Sequence, residues 1–547
     1  MKFNLLKISN LKKSLLTMIT FMTGAIFIVQ AQEYNFQLVK DLNPGSVHSN
    51  PKEMTVVGNS MFFVADWDNG QQTRLYLWKS DGTTSGTELV QSNFSEIYTP
   101  ENLILHNGWL YFSGADEYDG NEPWKSDGSL SGTVPFKNIN PTTYAGSNPE
   151  HFTSFNDKIY FAANNGTVGN ELWISDGTSV GTALLKDIRT GANSSNPQNF
   201  YPFNGKLYFE ANDGDSGFEL WVTDGTSSGT LLLKDIGDGN NDGQIDFLTE
   251  FNGKLYFSAW NLAAGKELWV TDGTTAGTQL VKDINPSAGS YPSYLTVYNG
   301  ALYFVATVGS VKQLWKTDGT EAGTTLAWNA SLDVLDIKDL MVYNGNLYFS
   351  SENELEGYEV WKTDGTTSGT VRLKDIKVGF DGSDPEYFHV YNGLLYFTAN
   401  DGSNGRELWV SNGTEAGTVK IAPNVATGNS PLVENPNFTE FNGSLYFSAG
   451  FDGNGVELWK LTTENMSTQD LAAAQLSTVY PNPVRDYLTI DLDKIKSSRI
   501  QLFDLQGRLM QDQTIESKGK LNMSTLPSGV YILKIEATGE TKKIIKR

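Results

Sequence analysis

The side chains with the most chemical promise lie in Asp238-Gly239-Asn240-Asn241-Asp242-Gly243-Gln244-Ile245-Asp246, which sets oxygen-bearing side chains at positions one, three, five and nine. Hard oxygen donors at that spacing suit calcium, Gly243 permits the sharp turn the ion demands, and Gln244 offers its backbone carbonyl. Asp238, Asn240, Asp242, Gln244 and Asp246 are therefore candidate ligands, and calcium is the one cofactor the sequence points to. Thr249 stands where a twelfth-position Glu would complete the set. A turn rich in Asp and Asn accounts for the same residues equally well.

Other chemistry is sparse. The four histidines, His48, His106, His151 and His389, are scattered and form no pair at metal-ligand spacing. His106 occupies the position held by Phe203 and Tyr298 in related segments, which reads as packing. No GxSxG elbow occurs. Asp213-Gly214-Asp215 and Asp381-Gly382-Ser383-Asp384 read as solvated turns, because glycoside hydrolysis needs two carboxyls at a set separation across a cleft. No catalytic constellation emerges, so the sequence leans away from an enzyme.

The elements that hold these residues are repeats. Trp78, Trp124, Trp173, Trp221, Trp269, Trp315, Trp361, Trp409 and Trp459 recur at intervals of 46, 49, 48, 48, 46, 46, 48 and 50 residues. Such a period marks a repeat architecture. Each unit parses into four strands with explicit turn chemistry. After Leu248–Phe251, Asn252-Gly253 tolerates positive φ at both positions and predicts a type I′ hairpin; seven of the nine units carry Asn-Gly there. Lys254–Ala259 is apolar on both faces, as a strand covered on both sides must be. Glu267–Thr271 follows, and Asp272-Gly273-Thr274 turns the chain into Gln279–Ile284. Four strands in about 45 residues match a propeller blade.

The ends of the array predict how it closes. The last unit has three strands, Phe438–Phe441, Ser444–Ala449 and Val456–Leu461, and lacks a fourth. At the opposite end Phe36–Leu42 matches the fourth-strand segment Leu231–Ile236 with nothing before it. The expected fold is all-β: a propeller of about nine four-stranded blades, its N-terminal strand completing the last blade. Nine exceeds the usual four to eight, so two smaller rings or an open array are the competing arrangements.

Composition narrows the partners. With 40 Lys and Arg against 63 Asp and Glu, the net charge of −23 excludes nucleic-acid phosphate as the main partner. Without cysteine, stability rests on packing alone. Lys2, Lys7, Lys12 and Lys13 precede an apolar run from Leu15 to Val29, and Val29-Gln30-Ala31 supplies a small residue for cleavage. Residues 1–31 thus read as a secretory signal peptide, shorter in its apolar run than the roughly 20 residues of a membrane span, leaving no transmembrane segment in the mature chain.

Three resemblances extend this reading. The Asp238 loop resembles calcium loops of the EF-hand or dockerin type. Glu171-Leu172-Trp173-Ile174-Ser175-Asp176-Gly177-Thr178 and Glu407-Leu408-Trp409-Val410-Ser411-Asn412-Gly413-Thr414 resemble the ELWxxDGT repeat family of secreted bacterial proteins, with departures at Leu75–Trp78, at Asn121–Trp124 and at Asn412. That family implies architecture and location but no defined activity. Val479–Pro483, Phe503–Leu509, Leu526–Lys534 and the basic end Lys542–Arg547 resemble the type A sorting domain of the type IX secretion system. This implies a small Ig-like β-sandwich recognised by an outer-membrane translocon in the Bacteroidetes, commonly removed on export, with the product released or attached to the surface. Independently, Tyr487–Leu492 alternates apolar and polar residues and Gln506-Gly507 suits a hairpin.

The expected organisation is a signal at 1–31, repeats at 33–461, a linker at 462–474 and a sorting domain at 475–547. The expected function is binding or adhesion outside the cell, with a glycan or protein ligand held by loops such as Asn285–Pro292 and Lys377–Pro385. Two rival expectations are a secreted hydrolase of polysaccharide or peptide with acidic residues around the channel, and a self-associating surface-layer component. In each case the type IX machinery is a partner.

Overall fold

The computed structural model describes residues 32–547 apart from 46, 69–72, 93–95, 117–118, 329–333, 354–355, 424–431, 433–434, 454, 466–477, 493–495, 505–507 and 537–540. The expected export signal, most of the expected linker and the Gln506-Gly507 turn lie outside the described residues. Tyr34–Thr463 forms one compact unit, and the strands after it belong to a second. Among the described residues every regular element is a β-strand.

Turn chemistry builds the first unit. In one repeat the strands are Asp246–Phe251, Lys254–Asn261, Gly265–Thr271 and Gln279–Lys282, paired antiparallel in sequence order. Asn252 and Gly253 both take positive φ, 49° and 69°, so the hairpin twists with its strands. Leu255–Ala259 is buried throughout. At the second tight turn Asp272 Oδ1 accepts from the Thr274 amide at 2.9 Å and from its hydroxyl at 2.7 Å. The Thr271 hydroxyl receives the Gly273 amide at 3.0 Å and meets Thr278 Oγ1 at 2.7 Å. The Thr271 hydroxyl, one Asp272 carboxylate oxygen and the Thr274 hydroxyl thereby each satisfy an amide of the same turn.

Gly273 has a second duty. Its φ is +93°, and an added Cβ would lie 2.5 Å from the hydroxyl of Tyr208 in the preceding sheet. Gly273→Ala should destabilise the protein by more than about 1 kcal/mol through strain and contact together. Adding Tyr208→Phe should recover the contact share alone, as read from paired thermal melts.

Nine four-stranded sheets of this kind occur among the described residues of the unit. They are numbered here by their first strands: Lys52–Val57, Tyr98–His106, Glu150–Phe155, Gln198–Phe203, Asp246–Phe251, Ser293–Tyr298, Val334–Tyr343, Glu386–Tyr391 and Thr439–Phe441. The core is a chain of clusters between neighbours. Leu220 and Val222 of sheet 4 pack on Phe257 and Trp269 of sheet 5, and Leu268 and Val270 of sheet 5 pack on Leu302 and Phe304 of sheet 6. The series returns to its start, because Leu458 and Tyr446 of sheet 9 share a cluster with Met61, Phe63 and Trp78 of sheet 1. The fold is a β-propeller with its first strands innermost, those strands contacting one another from sheet to sheet.

Gln32–Lys40 is the fourth strand of sheet 9, hydrogen-bonded beside Glu457–Asn465. That third strand runs past Leu461 to Asn465, so the first residues of the expected linker are strand. Glu457 Oε2 accepts from the Leu42 amide at 2.9 Å and from Ser49 Oγ at 2.6 Å, and the Lys460 ammonium donates to the Gly82 carbonyl at 2.7 Å.

This meander places each Asn-Gly turn and each Asp-Gly-Thr turn at one end of the sheets. The connectors between sheets, and the loops between second and third strands, lie at the other.

The second unit holds a three-stranded sheet, with Tyr487–Asp491 at its centre, and a four-stranded sheet with Ser497–Asp504 inside. Leu488 and Ile490 of one sheet and Ile500, Leu502, Leu533 and Ile535 of the other fill one core. The alternating residues of Tyr487–Asp491 are what such a sandwich requires.

Candidate functional site

Eight of the nine innermost strands carry a β-bulge at the same place, and in sheet 9 the corresponding residue, Asn437, lies just before the strand. In sheet 4 the register passes from Gln198↔Glu210 to Tyr201↔Tyr208, so Asn199 and Phe200 together face one residue. The residue at this position has positive φ in every sheet: Glu53 at 52°, Asn102 at 60°, His151 at 58°, Asn199 at 56°, Phe247 at 58°, Tyr294 at 54°, Asp339 at 59°, Tyr387 at 57° and Asn437 at 55°. Glycine is the residue for that conformation, yet none of the nine is glycine. Asn and Asp tolerate it; for Phe247, Tyr294 and Tyr387 it costs on the order of 1–3 kcal/mol each.

Local chemistry holds the bulge. The second bulge residue is apolar and anchors in the core, as Phe152 against Phe161 and Phe388 against Phe397, with ring centroids 5.0 and 5.4 Å apart. The hydroxyl two residues beyond the strained position returns to its carbonyl: Thr249 to Phe247 at 3.0 Å and Thr296 to Tyr294 at 2.9 Å.

The nine positions divide into two arcs. On the polar arc some side chains tie sheets together. Glu53 Oε2 accepts from the Leu103 amide at 3.2 Å, and Asn199 Nδ2 donates to the Ile245 carbonyl at 3.1 Å. On the other arc stand Phe247, Tyr294, Asp339 and Tyr387. Phe247 is 45% exposed, although it is a large apolar group held in a strained conformation. Its ring lies 6.1 Å from that of Tyr294. All four line a cavity of about 410 Å³ with Thr249, Thr296 and Met341. A neighbouring hollow of about 370 Å³ continues the wall through Tyr387 to His389, Asn437 and Glu53.

An ionic network braces this arc from behind. Lys338 Nζ lies 2.8 Å from both Asp384 and Glu386, and Arg406 meets the same carboxylates at 2.7 and 3.2 Å. Burial alone would lower the Lys338 ammonium, but these bonds hold it above its ordinary value. Burial raises the Asp339 carboxyl, and the Glu386 charge pushes it the same way. His389 is pulled down by burial against the opposing pull of Glu440 at 3.4 Å.

The sequence-derived candidates lie elsewhere. Asp238–Asp246 joins sheets 4 and 5. Asp242 Oδ1 accepts from the Phe218 amide at 2.8 Å, Asp246 is ion-paired with Lys266, and Asn241 Nδ2 donates to the Asp238 carbonyl at 3.0 Å. Two of the loop's three carboxylates thus already serve protein groups. Among the described residues no three His, Cys, Asp or Glu side chains gather as a metal cluster. His106 is buried, 2.7 Å from Ser154 Oγ and 5.7 Å from the Tyr111 ring. Seven of the nine ruler tryptophans are buried, Trp173, Trp221, Trp269 and Trp409 at 5–6% exposure, while Trp315 and Trp361 are half-buried against the core.

Sequence reasoning missed two sets of residues. The glutamate before Leu-Trp is a buried latch: Glu219 accepts the Ile236 and Gly237 amides at 2.9 and 2.6 Å, and Glu171 accepts Ile188 at 2.7 Å and Ser195 Oγ at 2.6 Å. Its recurrence, with a Ser about two dozen residues downstream, was the available signal. The bulge residues had none, because their types differ from repeat to repeat.

Comparisons with known proteins place the tail. Residues 478–547 match the family described as secretion system C-terminal sorting domain, of the type IX pathway. The chain is therefore marked for secretion or the cell surface. An ulvan lyase of Nonlabens ulvanivorans is 38% identical over 90 residues, which span 15% of this chain and 16% of the lyase. A puromycin hydrolase structure aligns over 66% of this chain and 60% of its own, at 15% identity and a TM-score of 0.34. The β-propeller domain of the Trilobed protease from Pyrococcus furiosus aligns over 58% of this chain and 96% of its own, at 9% identity and a TM-score of 0.28.

Proposed function

We propose that this chain is an extracellular binding protein whose ligand seats against the inner strands of the propeller, at the end where the sheets connect. The carrying observation is Phe247: a large apolar side chain, exposed, in a conformation that glycine would adopt without strain. The Thr249 hydroxyl and the core-packed Leu248 hold the backbone at this bulge, but the Phe247 ring gains no burial in return, and a strained, exposed aromatic group is the kind that persists where it serves a site. The adjoining cavity has the size of a small-molecule site, roughly 300–1,000 Å³. In this reading residues 1–31 direct export to the periplasm, ELWxxDGT-type repeats form the scaffold, and 475–547 hands the chain to the type IX machinery and is removed or retained at the surface.

A second reading, a hydrolase, is favoured by one feature: Asp339 lines the cavity with its carboxyl held up beside the Glu386 charge. The two separate in one experiment. The full chain is incubated with extracellular polymer and with cells, and retention is measured alongside release of reducing ends and amines. Retention without release is the expected result. Release that disappears in Asp339→Asn would replace binding with hydrolysis, and neither retention nor release would remove both readings.

A further inference from the structure

The chemistry of the aromatic arc names a ligand class, on the premise that the inner strands are the binding surface. We propose that Phe247, Tyr294, Asp339 and Tyr387 form a subsite for a neutral saccharide. A sugar ring presents C–H groups on its faces and hydroxyls around its rim, so it needs a flat aromatic wall and polar acceptors at the edge. The cavity provides both. The Phe247 and Tyr294 rings stand 6.1 Å apart at 46° to each other on one side, and Tyr387 stands farther along the wall. Asp339 lies between Tyr294 and Tyr387 in ring order and lines the same cavity, where its oxygens meet hydroxyls.

Charge decides against the neighbouring ligand classes. An acidic sugar needs a free cation, and the described wall of the cavity has neither Lys nor Arg. The nearest cations, Lys338 and Arg406, already pair with Asp384 and Glu386. A quaternary ammonium would use the same rings but needs a fixed anion. Asp339 is held toward its neutral form by burial and by Glu386, which suits hydroxyl recognition better.

The strain at these positions makes the test unusually clean. Replacing Phe247 and Tyr294 together by glycine removes the aromatic wall and relieves the positive φ in one step. Tyr294 also packs against the core between sheets 6 and 7, so the stability arm uses Phe247→Gly alone: a packing role for the exposed ring would appear as a lower melting temperature, whereas a binding role predicts an equal or higher one. The full chain and the Phe247→Gly/Tyr294→Gly variant are titrated calorimetrically with maltohexaose, cellohexaose, laminarihexaose and xylohexaose, and separately with tetramethylammonium chloride. The expected result is binding of at least one hexaose by the parent, weakened tenfold or more in the double variant, with no loss of melting temperature in Phe247→Gly. The assignment falls if no hexaose binds, if the variant binds equally well, or if tetramethylammonium binds and the sugars do not. Where no hexaose binds but the chain still retains polymer or cells, the sugar assignment alone is lost; where retention also fails, the binding surface goes with it.

Discussion

Deleting residues 33–45 should lower the melting temperature of the propeller by roughly 5 °C or more. This segment is the fourth strand of sheet 9 and the turn after it, and it comes from the far end of the chain. Val39 and Leu42 are 1% and 3% exposed, and burying two such side chains contributes about 1.5–3 kcal/mol each. The deletion also takes the Leu42 amide from Glu457, a buried carboxylate. With the lost ladder bonds the deficit is on the order of 5 kcal/mol or more, a shift of about 5 °C or more in a unit of this size. A second consequence distinguishes closure from simple truncation. The strand Glu457–Asn465 would become an open edge, so the variant should self-associate, and a peptide spanning 32–45 should restore the melt in trans. A melt unchanged by the deletion would mean that the ring does not depend on this seam.

Glu219→Ala should lower stability by about 1–3 kcal/mol for each of the Ile236 and Gly237 amides left without an acceptor. Glu219→Gln keeps an acceptor for only one of the two amides, sets an NH2 against the other, and removes the titrating group. Burial pushes the Glu219 carboxyl from its ordinary 4.5 up to about 8, against the pull of those two amides, and Glu457 up to about 7. Glu122, Glu171, Glu267 and Glu359 are raised for the same reason. A raised carboxyl keeps its proton in the folded state where the unfolded chain has lost it. Its contribution is therefore complete below the ordinary value and is lost as pH rises through the folded one. Stability should fall between about pH 4.5 and 8, and the Glu219→Gln variant should show a shallower fall in melts taken across that range.

The aspartates of the Asp-Gly-Thr turns act in the opposite sense. Bonds from Thr hydroxyls and amides lower Asp224, Asp272, Asp318 and Asp364, so their contribution is present above the ordinary carboxylate value and lost as pH falls below it. The two windows do not overlap, which places greatest stability between pH 4 and 5. A parent protein whose melting temperature rose steadily from pH 5 to 8 would contradict the buried-latch account.

Much of this was readable from residue types alone, because the information is local. Asn252-Gly253 and Asp272-Gly273-Thr274 state their turn geometry in adjacent residues, and the tryptophan spacing follows from one four-stranded unit being copied. The all-β class, the four-strand repeat and the sorting tail follow from such signals, as did the pairing of Phe36–Leu42 with the last sheet, since an unpartnered strand and an incomplete sheet must find each other.

The bulge ring belongs to the other category. Phe247, Tyr294, Asp339 and Tyr387 are some 45–48 residues apart in sequence, and they share a wall only because successive innermost strands converge. Positive φ at those positions is imposed by fitting two residues opposite one across a twisted ladder, a demand no residue type declares. The Asp238 loop shows the converse. Its oxygen spacing suggested a cation, yet Phe218 and Lys266, brought in from neighbouring strands, supply hydrogen and charge to two of its carboxylates. Local sequence determines which turns and strands form, because each is decided by its own dihedrals and hydrogen bonds. What those strands present to a ligand depends on which distant atoms reach the same place, and only the closed packing of the sheets decides that.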